Sequence, residues 1–136
     1  MLVFHDPIPE IAGRACRALT AQEYWHRGAL VDEANVLFLQ LEDGVWHRFF
    51  IDAGVVFWKT VDAPSSPPDN GNDRYPSKDI GARHGLTGRS LRRVGTVDLP
   101  GGGELRLEFD GGPTLILRNV DDCSSLVIQA VELRRR

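Results

Sequence analysis

Leu37, Leu39 and Leu41 alternate with Phe38 and Gln40, and Leu105, Leu107 and Phe109 alternate with Arg106 and Glu108. A period of two sends successive side chains to opposite faces, so each run predicts a half-buried strand. Asp43-Gly44 and Asp110-Gly111 follow, and these are residue types that accept the positive φ of a tight hairpin turn. Val55 to Thr60, after Asp52-Ala53-Gly54, is a further strand candidate, and Leu126 to Leu133 closes the chain. Pro100 and Gly101-Gly102-Gly103 turn Val94–Leu99 back into Glu104–Asp110. Thr20-Ala21-Gln22-Glu23 ahead of Gly28 fits a capping box and stop for a two-turn helix. Its counterpart Thr96–Leu99 has strand character, so strand plus a long turn is preferred.

The pattern repeats. IAGRACRAL (Ile11 to Leu19) and LTGRSLRRV (Leu86 to Val94) share an apolar residue, a Gly-Arg pair, a second arginine (Arg17, Arg92) and a second apolar position. LFLQLEDGVWHRFFID (Leu37 to Asp52) aligns with LRLEFDGGPTLILRNV (Leu105 to Val120). The offset is 75 at the Gly-Arg pair and 68 at the turn. Matches in the same order indicate duplication of one supersecondary unit. The expected fold is therefore mainly β, with little helix: an antiparallel sandwich or small barrel in one domain, 1–136. The first unit spans 11–60 and the second 86–133. Between them, 62–85 holds four of the eight prolines and reads as a polar loop.

The units differ on the faces turned away from the leucines. The second carries Arg106, Glu108, Thr114, Ile116 and Arg118, suited to water and cross-strand ion pairs. The first carries Val36, Phe38, Gln40, Trp46, Arg48 and Phe50, to which the next strand is read as adding Val56 and Trp58. An apolar face of this size calls for cover. The central loop, the N-terminal segment or the second sheet is the default cover. A partner protein or a second copy is the functional one, and a ligand pocket under the loop is the third. Phe38, Trp46, Arg48, Phe50, Val56 and Trp58 are the candidate interaction residues.

Composition narrows the chemistry. A net charge of −3 excludes an acidic tail or an electrostatic nucleic-acid binder. The longest apolar runs fall short of a membrane span, and Pro7 and Pro9 interrupt the start, so no signal peptide is expected. Cys16 and Cys123 are too few for a disulfide framework, which makes a reduced, cytoplasmic chain the expectation. Arginine outnumbers lysine 14 to 2, in keeping with codon bias, since the arginines are spread along the chain.

His5, His26, His47 and His84 form no HxH or HxxxH pair. His47 shares parity with Phe49 and Ile51 and is expected in the core, and Cys16 as a buried thiol. No GxSxG, P-loop or GxGxxG is present, and the Gly101–Gly103 run precedes a strand, not a helix. The Arg14/Arg17 and Arg89/Arg92 pairs are either related anion sites or, more plainly, exposed strand ends. No catalytic constellation, metal site or cofactor is indicated.

The segments LEDGVWHRFFIDAGVVFWKT and LTGRSLRRVGTVDLPGGGELRLEFDGGPTLILRN resemble uncharacterised small bacterial β-rich proteins, some of them immunity proteins of polymorphic toxin systems. The shared pattern is LxGxxLxxV … LxLxFxdG … LxIxN, over about half the chain. The resemblance implies a cytoplasmic, non-enzymatic protein that binds another protein. Its pattern consists of scaffold positions, so no functional residue carries over. The leading expectation is an interaction module engaging a protein partner or itself through the aromatic face. The alternative is a small-molecule-binding or enzymatic β-barrel with a site beneath the 62–85 loop and His47, His84 or Arg48 as polar contacts.

Overall fold

A computed structural model describes residues 10–130. The long strands are β1 (Cys16–His26), β2 (Ala29–Leu41), β3 (Trp46–Asp52) and β4 (Val55–Val61) in the first half. The second half holds β7 (Leu91–Leu99), β8 (Gly102–Phe109), β9 (Thr114–Val120) and β10 (Cys123–Gln129). Between them lie β5 (Asp73–Arg74), β6 (Ser77–Asp79) and the single-turn helix α1 (Ile80–Arg83). All pairings are antiparallel. One sheet has the order β4-β3-β2-β1-β5, with β6 also on β1, and the other has the order β10-β9-β8-β7. The sheets form a sandwich rather than a closed barrel.

The leucine faces meet between the sheets. Leu19, Leu37, Leu39, Leu41 and Phe49 from one, and Leu91, Leu105, Leu107, Phe109, Leu115 and Leu117 from the other, are almost wholly removed from water. Non-directional burial of this apolar area is the main drive for closing the sandwich. Ile11, Ile80 and Leu86 extend the core where α1 packs on β1. Asp79 caps that turn by accepting the Ala82 N–H at 3.0 Å.

The registers of the halves coincide under the two offsets read from the sequence. Leu37↔Phe49 and Leu39↔His47 correspond to Leu105↔Leu117 and Leu107↔Leu115. Asp52↔Val55 corresponds to Val120↔Cys123. The bulge between Cys16 and Ala18 recurs between Leu91 and Arg93. The Gly-Arg segments also pair with each other, through an Ala15↔Ser90 bridge. There the Gly13 N–H donates to the Leu91 carbonyl at 2.6 Å, and the Gly88 N–H donates to the Cys16 carbonyl at 2.8 Å.

Several expectations need correction. The strand preferred over a helix at 20–28 forms, with β1 running on to His26, but the turn is not long: Arg27 (φ 50°) with Gly28 (φ 80°) makes a two-residue turn into β2. Pairing with β2 on one side and with β5 and β6 on the other satisfies this backbone, so tertiary context overrides a weak helical signal. The 62–85 segment is not one uniform loop, because it supplies β5, β6 and α1 to the edge and end of β1. The closing strand starts earlier than expected, at Cys123, and the expected residues 131–133 lie outside the described part. Gly102 and Gly103 belong to β8 itself, opposite Val120 and Asn119.

Candidate functional site

Asp52-Ala53-Gly54-Val55 fixes the site. Ala53 (φ 51°) and Gly54 (φ 78°) are both left-handed, the geometry of a two-residue turn whose twist matches its strands. It sets Asp52 opposite Val55, and hence Phe50 opposite Phe57, Arg48 opposite Lys59 and Trp46 opposite Val61. One correction follows. Val56 and Trp58 do not share the face of Trp46, Arg48 and Phe50; they pair with Ile51 and Phe49 on the core side. Trp58 donates its indole N–H to His47 Nδ1 at 3.1 Å and stacks on that ring. The place assigned to those two residues is held by Phe57 and Lys59.

Phe38 and Val36, at the middle of the outer face, are buried although they lie outside the core. Trp46, Arg48, Phe50 and Phe57 are half-buried. Phe50 and Phe57 stack with centroids 4.7 Å apart and planes 4° from parallel, and the Arg48 guanidinium lies over the Phe50 ring at 4.7 Å. Such a contact favours the cation, yet partial burial still pushes the Arg48 pKa down. Directly across the ladder stands Lys59. Like charges facing each other are unfavourable, and no carboxylate among the described residues pairs with either. Arg48, Phe50, Phe57, Trp58 and Lys59 outline a cleft of about 280 Å³.

A larger cleft, about 470 Å³, opens where β2 runs past the end of β3 and meets the β9–β10 turn. Asp32, Arg48, Asp52, Asn119, Asp122 and Ser124 line much of it. Neither cleft draws a lining residue from 62–85, so the expected pocket beneath that segment is not where these clefts lie. His84 lines neither, and Arg48 lines both.

The second sheet has a different outer surface. Glu104, 2% exposed, accepts from Arg106 Nε and Nη2 at 3.0 and 2.9 Å and from Arg118 Nε. Burial alone would raise its pKa, but the hydrogen bonds and charges of Arg118 and Arg106 prevail and hold it below the ordinary value. Glu108 faces Arg92 and Arg93 at 3.9 and 3.8 Å. The mixed polar face expected from the sequence is thus largely neutralised within itself.

The remaining candidate chemistry is structural in character. Burial lowers the His47 pKa, with opposing smaller effects from Asp43 and Arg14. Its Nδ1 accepts from Trp58, so Nε2 carries the proton, buried and without a hydrogen-bond partner among the described residues. Burial, with the Asp79 charge, pushes the Cys16 thiol up to about 11, which removes its nucleophilic form at neutral pH. Tyr24 Oη and His26 Nδ1 both reach Asp73 Oδ1, at 2.8 and 2.7 Å, and Tyr24 stacks on Tyr75. This cluster ties β5 to β1. Sequence reading missed it because its members lie 47 and 49 residues apart. Among the described residues no group of three or more His, Cys, Asp or Glu is placed to hold a metal ion. No described helix is long and apolar enough to cross a membrane. The chain matches no family model, and no significant similarity to a curated protein or a solved structure is found.

Proposed function

We propose that this chain is a non-catalytic protein-interaction module, of the kind the immunity-protein resemblance suggests, whose contact surface is the outer face of β3 and β4. On this reading the two units descend from one by duplication, with the first specialised for contact; the shared registers support that descent. One observation carries the reading. The second unit's outer face satisfies its charges internally, whereas the first presents Trp46, Arg48, Phe50 and Phe57 half-buried and, among the described residues, Arg48 and Lys59 without an ion-pair partner. Arginine and aromatic side chains dominate the energetics of protein contacts.

The test places a photo-crosslinking amino acid at Phe57, and separately at Val127 on the second sheet, in cells that express the chain natively. The expected result is a discrete protein adduct from position 57 that is absent from 127 and lost on Phe50→Ser, with that variant's circular dichroism unchanged. Equal adducts at both positions, or none at 57 in a folded chain, would contradict it.

A further inference from the structure

We propose that β4 is a recognition edge, and that its occupant is an extended, carboxylate-bearing segment of a partner protein. This segment adds to the sheet as a strand and sets an Asp or Glu side chain against Arg48 and Lys59. The proposal rests on the interaction-module reading and gives that partner a chemistry.

The hairpin parity decides which backbone groups are free. Asp52 and Val55 close the two-residue turn, so Val55, Phe57, Lys59 and Val61 spend their N–H and C=O groups on β3, and Val56, Trp58 and Thr60 point theirs away from it. The same logic at β9–β10 turns the N–H groups of Ser124, Leu126 and Ile128 outward. Two of those have partners: Ser124 N–H donates to Asp32 Oδ1 at 2.8 Å, and Leu126 N–H to Glu33 Oε1 at 2.6 Å. Under the 68-residue offset, Val56 and Trp58 are their counterparts. No acceptor is present for these two among the described residues.

The other edges are guarded in familiar ways. β1 is covered by β5 and β6, which are only two and three residues long. β7 is bulged and bears Arg92, Arg93 and Asp98. β4 is seven residues of mostly apolar character, VVFWKTV. Strand addition to such an edge supplies main-chain hydrogen bonds, with side-chain positions left to set specificity.

Charge selects the occupant. Arg48 and Lys59 face each other across the ladder and neither has an ion-pair partner among the described residues, the carboxylates nearest Arg48 lining the other cleft, and the cleft of about 280 Å³ beside them has room for a carboxylate side chain. A second copy is the poorer fit. Antiparallel pairing centred on Trp58 would set Lys59 against Phe57 of the other copy and add a second Arg48 and Lys59, while the incoming β4 brings no carboxylate. An edge lysine is also a common guard against self-pairing. A carboxylate from a partner strand relieves the Arg48–Lys59 repulsion and makes charge-assisted hydrogen bonds.

Two synthetic peptides provide the test: acetyl-Thr-Val-Glu-Val-Glu-Val-Thr-amide and its counterpart with Gln in place of Glu. They are titrated against the full chain at low salt by NMR. The acidic peptide is expected to bind about tenfold more tightly, a difference of about 1.4 kcal/mol, with the Val56, Trp58 and Thr60 amides gaining exchange protection. The preference should vanish in Lys59→Gln with Arg48→Gln. Thr60→Pro, whose lost N–H faces outward, should fold and lose binding. Equal affinities, binding that leaves those three amides unchanged, failure of both peptides to bind, or peptide-free self-association that protects them would each overturn the proposal. If crosslinking at Phe57 succeeds and the peptides fail, the interaction reading stands and only the acidic strand falls.

Discussion

Gly102→Ala is expected to destabilise the protein by about 3 kcal/mol or more, the upper end of what overpacking costs. A Cβ at Gly102 would lie 1.7 Å from the Asn119 carbonyl oxygen and 2.8 Å from its carbon. Both are backbone atoms of the neighbouring strand, so no side chain can swing aside and the start of the β8–β9 ladder must open. The damage should also reach the candidate site, because the β3–β4 turn rests on this glycine pair. A Cβ at Gly54 would meet the Gly102 oxygen at 3.3 Å, and one at Gly103 would meet the Gly54 oxygen at 3.0 Å. Gly95→Ala is the control. Nothing lies within 4 Å of its Cβ, and it should unfold within about 0.5 kcal/mol of the parent in urea titrations.

Removing both cations from Glu104, as Arg106→Met with Arg118→Met, should cost about 3–5 kcal/mol at neutral pH by stranding a buried carboxylate. Glu104→Gln should cost less, since the two arginines, each 39% exposed, can turn to water. The pH dependence distinguishes this from lost packing. In the parent, the folded-state pKa of Glu104 is held below its ordinary value of 4.5. Its contribution is therefore fully present above that value and is lost as pH falls through the folded one. In the double variant, burial without cations raises the pKa. The deficit should be widest at pH 7 and should narrow below about pH 5 as the carboxylate takes up a proton. A deficit that stays constant across that range would assign the loss to packing.

The sandwich was largely legible from side-chain parity. Leu37, Leu39, Leu41 and their counterparts could bury themselves only as one face of a strand, and Asp-Gly turns fixed the neighbours. The candidate site was half legible. Phe38, Trp46, Arg48 and Phe50 fell on one face because β2 and β3 pair Phe38↔Arg48 and Gln40↔Trp46. Val56 and Trp58 fall on the core side because the turn after Asp52 spends two residues, Ala53 and Gly54, before the pairing resumes at Val55. That count alone puts Phe57, not Trp58, beside Phe50. The guard on β10 was illegible in principle. It depends on Asp32 and Glu33 reaching backbone 92 and 93 residues away, and neither residue stands in a local motif. The same holds for Asp73, which looks like an ordinary turn residue until β5 is laid beside Tyr24 and His26.

The central claim is that the edge of β4 stands open among the described residues, while the edge of β10 is engaged by carboxylates at Ser124 and Leu126. Residue-resolved amide hydrogen exchange on the free monomer tests it most directly. Val56, Trp58 and Thr60 should exchange near the rate of unprotected amides, and Ser124 and Leu126 should be slowed through their carboxylate partners. Protection of Val56, Trp58 and Thr60 equal to that of Ser124 and Leu126, in protein shown by light scattering to be monomeric, would contradict the account.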